Sequence, residues 1–187
     1  MPKRKPDRRA QRTRDRLGNA FLELSLEKPI RDITVQEVLD RSSVGRSTFY
    51  VHYRDKDDLL FSQLERFLEM TSTLLTTRRE KSNRVVPVAE IFDHIGNQNK
   101  LYRAISESGH LEEFYQLAQG YYARGIEKRL RDTGRFSAVP KRELAARSTA
   151  LAGSMISLLR WWLDRGEKES PHSMDELFHR MVWNGIR

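Results

Sequence analysis

Cysteine is absent from the 187 residues. No disulfide framework, thiolate metal site or cysteine nucleophile is therefore available, and the composition fits a reducing compartment. Long apolar runs are missing too. The longest uncharged stretch of the apolar C-terminal part is 148–159, between Arg147 and Arg160. A membrane span needs about 20 apolar residues, so this stretch reads as a buried helix segment, and no membrane partner is expected. No apolar segment follows the basic N-terminus, which argues against a secretory signal and for a cytoplasmic protein. Acidic residues are outnumbered, 26 against 34 Lys plus Arg, for a net charge of +8.

The charge is unevenly spread. Residues 1–16 hold eight basic groups and two acids, whereas 17–60 carry a small acidic excess. A dense cationic segment attracts polyanions, nucleic acid or anionic lipid. Taken alone, it reads equally as a solvated tail.

Apolar spacing predicts helices almost throughout. Leu17, Ala20, Phe21 and Leu24 mark one face of a helix over 9–26. Gly18 is out of place there, by about 1 kcal/mol against alanine. Thr34 and Glu37 form a capping box for a helix over 35–41. A short helix follows over 46–52, then one over 56–77 that Asp55 caps. Further helices are expected over 87–97, 99–107, 110–132, 141–165 and 174–183, the last opened by a second capping box, Ser173 with Glu176. The expectation is an all-α chain of about nine helices, with no strand.

Two short helices joined by a tight turn at 42–45 form a helix-turn-helix, whose second helix suits the DNA major groove. Its front end offers Arg46, Ser47 and Thr48 to base edges. Tyr50, His52 and Lys56 suit phosphates, which fix position without reading sequence.

The stretch from Arg9 to Leu60 resembles the DNA-binding region of the TetR/AcrR family of bacterial transcriptional regulators. The resemblance lies in Arg9, Arg12, Thr13 and Arg14, in Ala20, Phe21 and Leu24, and in Thr34. It continues through Val44, Thr48, Phe49, Tyr50, His52, Tyr53 and Lys56. It implies a homodimer whose three N-terminal helices bind a palindromic double-stranded operator, while the C-terminal helices sense an effector and dimerise. Thr34, Gln36, Thr48, Tyr50, His52 and Lys56 match positions that touch DNA in the family, and Arg14 joins the arginines expected on phosphates. Two residues depart from the family pattern. Ser43 stands where the turn usually has glycine, and Gly45 where serine often caps the second helix.

The resulting division is a basic arm at 1–8, a DNA-binding domain at 9–55 and an effector-sensing and dimerisation domain at 56–187. Helical spacing on the last two helices marks Leu151, Met155, Leu159, Leu177, Phe178 and Met181 for a four-helix dimer interface. Phe92, Tyr115, Tyr122 and Trp162 are candidate walls of an effector pocket. No charge cluster accompanies them, so a small apolar or aromatic effector is expected, and no cofactor.

Two rival classes remain open. Glu107/His110 and Glu176/His179 have the spacing of di-metal helical bundles, but no phosphate loop, zinc motif or nucleophile elbow is present. A nucleoid or membrane-surface protein acting only through residues 1–16 is the other. The expectation is a ligand-responsive repressor with no catalytic or metal-binding residues, not an enzyme.

Overall fold

The structure is a computed structural model that describes residues 8–134 and 136–185, apart from the side chains at 99 and 100. Those residues form nine α-helices and a 3-10 turn at Ile30–Asp32, with no strand. The helices are α1 (Arg8–Glu27), α2 (Val35–Ser42), α3 (Arg46–His52), α4 (Lys56–Thr77) and α5 (Val88–Asn97). They continue as α6 (Asn99–Glu107), α7 (Leu111–Asp132), α8 (Lys141–Asp164) and α9 (Pro171–Asn184). The expected basic arm lies outside the described residues, except Arg8, which opens α1.

The chain divides into two compact units. One holds the described residues up to 64 together with 100–111; the other holds 65–99 and the described residues from 112 onward. The first unit thus reaches past residue 56 into α4. The cause is apolar: Leu59, Leu60 and Leu64 on the first turns of α4 are buried, completing a core that three short helices cannot close alone.

In the first unit, α1 buries Leu17, Ala20, Phe21 and Leu24, as its period demands. Gly18 is buried against Gln63 of α4. A Cβ there would overlap the side-chain amide of Gln63. Helices of 8 and 7 residues, α2 and α3, are too short to persist alone. They rest on burial of Val38, Leu39 and Phe49 and on the capping box. The Thr34 hydroxyl accepts the Glu37 amide at 3.3 Å, and the Glu37 carboxylate accepts the Thr34 amide at 2.9 Å. Hydrogen bonds from Lys28 and Thr34 hold the Glu37 carboxyl down at about 2. Asp55 caps α4 by accepting the Asp58 amide at 2.7 Å.

The second unit packs α5 against α9 and buries Phe92, Tyr122, Ile126, Met155, Leu159, Trp162 and Phe178. α9 starts earlier than the second capping box predicts. Ser170 is the N-cap, its hydroxyl accepting the Ser173 amide at 3.1 Å, and Pro171 occupies the first turn. Proline is favoured there because its missing N–H has no partner to lose. α8 ends as expected, with Gly166 at φ 75° and the Glu167 amide returning to the Trp162 carbonyl at 3.0 Å.

The connection between α4 and α5 has no regular structure, yet two arginines hold it. Buried Arg129 of α7 donates to the carbonyls of Glu80, Ser82 and Arg84 at 2.6–3.2 Å. Arg84 donates to Asp175 of α9 through Nε at 3.1 Å and a terminal nitrogen at 2.8 Å, and also pairs with Glu90. The Val85 amide donates to His179 Nε2 at 3.1 Å. That acceptor role leaves the imidazole proton on Nδ1, which lies 2.8 Å from the Asp175 carbonyl.

Candidate nucleic-acid interface

The turn between α2 and α3 depends on a left-handed residue. Ser43 has φ 51° and ψ 41°, a conformation that costs an L-residue about 1–2 kcal/mol and explains the family's usual glycine. The chain compensates locally. Arg16 of α1 donates to the carbonyls of Ser42 at 2.5 Å and Ser43 at 3.1 Å, so the turn's outward carbonyls are satisfied by a cation. Gly45 is the N-cap of α3, with extended backbone and no side-chain cap.

α3 is anchored by Phe49, which is fully buried and packs at a tilt against Tyr53, with 5.8 Å between ring centroids. Arg46, Ser47 and Thr48 are all exposed on its first turn. Arg46 is steadied by Gln36, whose side-chain oxygen accepts a guanidinium N–H at 2.8 Å while its amide nitrogen donates to Asp40. A guanidinium has five donors, so this bond orients Arg46 and leaves others available. Tyr50 is half-exposed and His52 partly so. Arg14 lies on α1 beside Gln11, donating to it at 3.1 Å.

Two expected phosphate contacts have other work. Lys56 donates to the carbonyls of Ile30, Arg31 and Ile33 at 2.7–3.0 Å. An ammonium has three N–H donors, so all are used inside the free protein, where Lys56 acts as a strut that ties the start of α4 to the chain before α2. The Thr34 hydroxyl is likewise engaged in the capping box. Sequence reasoning missed Arg16 and Val51. Arg16 was read only as part of a basic run, because its partners lie 26 and 27 residues away. Val51 is 78% exposed on the last turn of α3, although valine is a residue type usually found buried.

Other expected residues are redistributed. Met155, Leu159 and Phe178 are buried within the single chain, so they belong to the protomer's own core and cannot form a dimer surface. Leu151, Leu177 and Met181 keep partial exposure. The four aromatics do not frame one pocket. Phe92 and Trp162 pack together at 4.9 Å, and the Trp162 indole N–H donates to the Glu169 carbonyl at 2.7 Å. Tyr122 hydrogen-bonds Thr71 at 3.0 Å, and burial pushes its phenol well above the usual range. Tyr115 lies beneath the Arg160 guanidinium at 3.9 Å. Phe92 and Trp162 do reach a groove of about 370 Å³, edged by Asp93, Glu167, Lys168 and Glu169. Of the Glu-x-x-His pairs, one falls in each unit: His110 faces Phe61 and Asp57, and His179 holds the Val85 amide. No helix among the described residues is long and apolar enough to cross a membrane.

Comparison with known proteins gives the same picture. Residues 88–184, just over half of the chain, match the TetR-type family model described as a transcriptional regulator C-terminal region. Over 61 residues the chain is 41% identical to YxbF, an uncharacterized HTH-type transcriptional regulator of Bacillus subtilis. That stretch is 32% of this chain but only 16% of the relative's length. A TetR transcriptional regulator from Streptococcus agalactiae is 25% identical, with 94% of this chain and 96% of that one aligned at a TM-score of 0.60. The fold is shared with the transcriptional regulator FadR of Bacillus subtilis, crystallised with stearoyl-CoA. There the TM-score is 0.66 over 92% of this chain and 99% of that one, at 13% identity. With its all-helical fold, its helix-turn-helix and its matched C-terminal region, the chain belongs to the TetR family of transcriptional regulators.

Proposed function

We propose that this regulator is a cytoplasmic, ligand-responsive repressor that grips a palindromic operator as a homodimer. One observation carries the DNA reading: α3 turns Arg46, Ser47 and Thr48 outward while buried Phe49 fixes its orientation. Arg46 suits guanine, and Ser47 and Thr48 suit either base type. Arg14, Gln36, Tyr50 and His52 contribute backbone contacts. Footprinting of the full-length protein on an operator selected from random duplexes tests this. Arg46→Ala or Thr48→Ala is expected to weaken binding by about 1–3 kcal/mol and to relax preference at one position of each half-site. Unchanged affinity and preference in both variants would overturn the assignment.

Assembly as a dimer is supported by the outer face of α8. The uncharged run 148–159 buries Ser148, Ala152, Met155, Ile156 and Leu159, yet its other side leaves Thr149, Ala150, Ser154 and Ser157 exposed. A solvent-facing helix surface without charge over three turns suits a second copy, and small residues allow close approach. Trp161 on α8 and Trp183 on α9 are exposed as well, and Trp183 shares a groove with Ala150 and Leu151 of α8.

We assign the effector to the groove that buried Phe92 and Trp162 line, since these two of the four expected aromatics share one. FadR's complex with stearoyl-CoA supports keeping an amphipathic, mainly apolar ligand in the reading. Addition of such compounds to the operator complex should release DNA and change tryptophan fluorescence. A broad panel with neither effect would leave abundance as the only control.

A further inference from the structure

Val51 is the most exposed large apolar side chain among the described residues, at 78%. Its place in α3 is what makes that exposure informative. Successive residues turn by about 100°, so Ser47 and Val51, two before and two after buried Phe49, lie about 160° round the helix from it. They form the ridge that stands furthest from the domain. Arg46 and Tyr50 flank this ridge on one side, Thr48 and His52 on the other, and exposed Arg54 lies just beyond the helix, after the extended Tyr53.

Nothing in the fold itself rewards valine here. A β-branched residue is a weaker helix former than alanine or a long polar residue. An exposed isopropyl group gains nothing from burial. Nor does the setting suit a protein partner, since the ridge is bordered by arginines rather than by a continuous apolar patch. Cations around a single protruding aliphatic group suit a polyanion that offers one apolar feature between its charges. The DNA major groove is such a surface. Thymine's 5-methyl is the apolar group among the base edges there, while the other positions present donors or acceptors that a valine would leave unpaired.

We infer that Val51 is a specificity-determining residue that packs on a thymine 5-methyl group, one in each half-site. The inference rests on the DNA-binding reading above and deepens it. It gives α3 a second recognition chemistry beside the hydrogen bonds of Arg46, Ser47 and Thr48. It also gives discrimination in both directions, because contact favours thymine and desolvation of an unpaired base edge penalises the alternatives.

The test uses the full-length protein and an operator selected from random duplexes. Each thymine of that operator is replaced in turn by deoxyuridine, which deletes only the methyl group. One thymine per half-site is expected to be sensitive, with wild-type affinity falling about fourfold per half-site, the worth of one buried methyl. Val51→Ala should bind the thymine operator more weakly by a similar factor and be indifferent to deoxyuridine at that position. Val51→Thr, which keeps the branched shape, should retain most of the sensitivity. The proposal is overturned if no single replacement affects the wild type, or if Val51→Ala keeps the wild-type deoxyuridine profile. Failure to select any operator is a different result: it removes the DNA reading itself, and this inference with it.

Discussion

Arg84→Met is expected to lower the free energy of unfolding by about 3–5 kcal/mol, read as a shift of the urea midpoint at unchanged slope. The Asp175 side chain is only 9% exposed, and Arg84 supplies its cationic partner through two N–H donors. Removing that cation leaves a carboxylate in a poorly solvated site with an imidazole and the Ala89 amide. The size of the loss therefore reflects the charge left behind rather than the worth of the pair. Arg84→Met combined with Asp175→Asn, which keeps an acceptor for Ala89 and removes the charge, should be more stable than Arg84→Met alone. Additive losses in the double variant would refute the coupling.

The same carboxylate sets an acid limit. Burial pushes the Asp175 carboxyl up, but hydrogen bonds from His179, Arg84 and the Ala89 amide outweigh it and hold the group at about 2, below its ordinary 3.8. Above 3.8 both folded and unfolded chains are ionised there and the stabilisation is complete. As pH falls from 3.8 towards 2, the unfolded chain takes up a proton that the folded one refuses, and stability declines by about 2 kcal/mol. Part of this slope should disappear in Arg84→Met, with the part due to His179 and the Ala89 amide remaining.

Met155→Asp and Ser154→Glu, neighbours on α8, are expected to fail in different ways. Met155 is fully buried, so an aspartate there loses apolar packing worth about 2–5 kcal/mol and adds an unpaired buried charge. The expected product is an unfolded or aggregated chain, seen as loss of the cooperative thermal transition. Ser154 faces outward, and a glutamate there should leave the protomer's helicity and melting intact. Sedimentation velocity at micromolar concentration should nevertheless find Ser154→Glu monomeric where the wild type is dimeric. A folded Met155→Asp protein with native melting would contradict the core. A dimeric Ser154→Glu protein would remove the outer face of α8 from the interface.

The contrast marks what local pattern can and cannot carry. α2, α3 and α4 were legible because their ends depend on residues three or four apart, such as Thr34 with Glu37 and Asp55 with Asp58. The start of α9 was less so, since Ser170 and Ser173 both suit a cap and Pro171 decides between them. Periodicity on α8 marked an apolar stripe containing Met155 and Leu159, but a stripe does not say whether it meets its own chain or another. The candidate site divided in the same way. Arg46, Ser47 and Thr48 are exposed because they sit on the first turn of a short anchored helix. The strut role of Lys56 was hidden because its carbonyl partners lie 23–26 residues earlier.

The connection between α4 and α5 carries Arg78, Arg79, Lys81 and Arg84, a sequence that invites trypsin. Cleavage requires the segment to leave its partners and lie extended in a protease cleft, and that depends on local opening. Here opening means giving up the three carbonyl bonds to Arg129 together with the Arg84 pairs. A segment rich in protease signals is thus held shut by cations. A stiff joint of this kind also passes on motion that a loose one would absorb. Such a joint would pass a shift at the C-terminal end of α4 on to α5, whose Phe92 lines the groove.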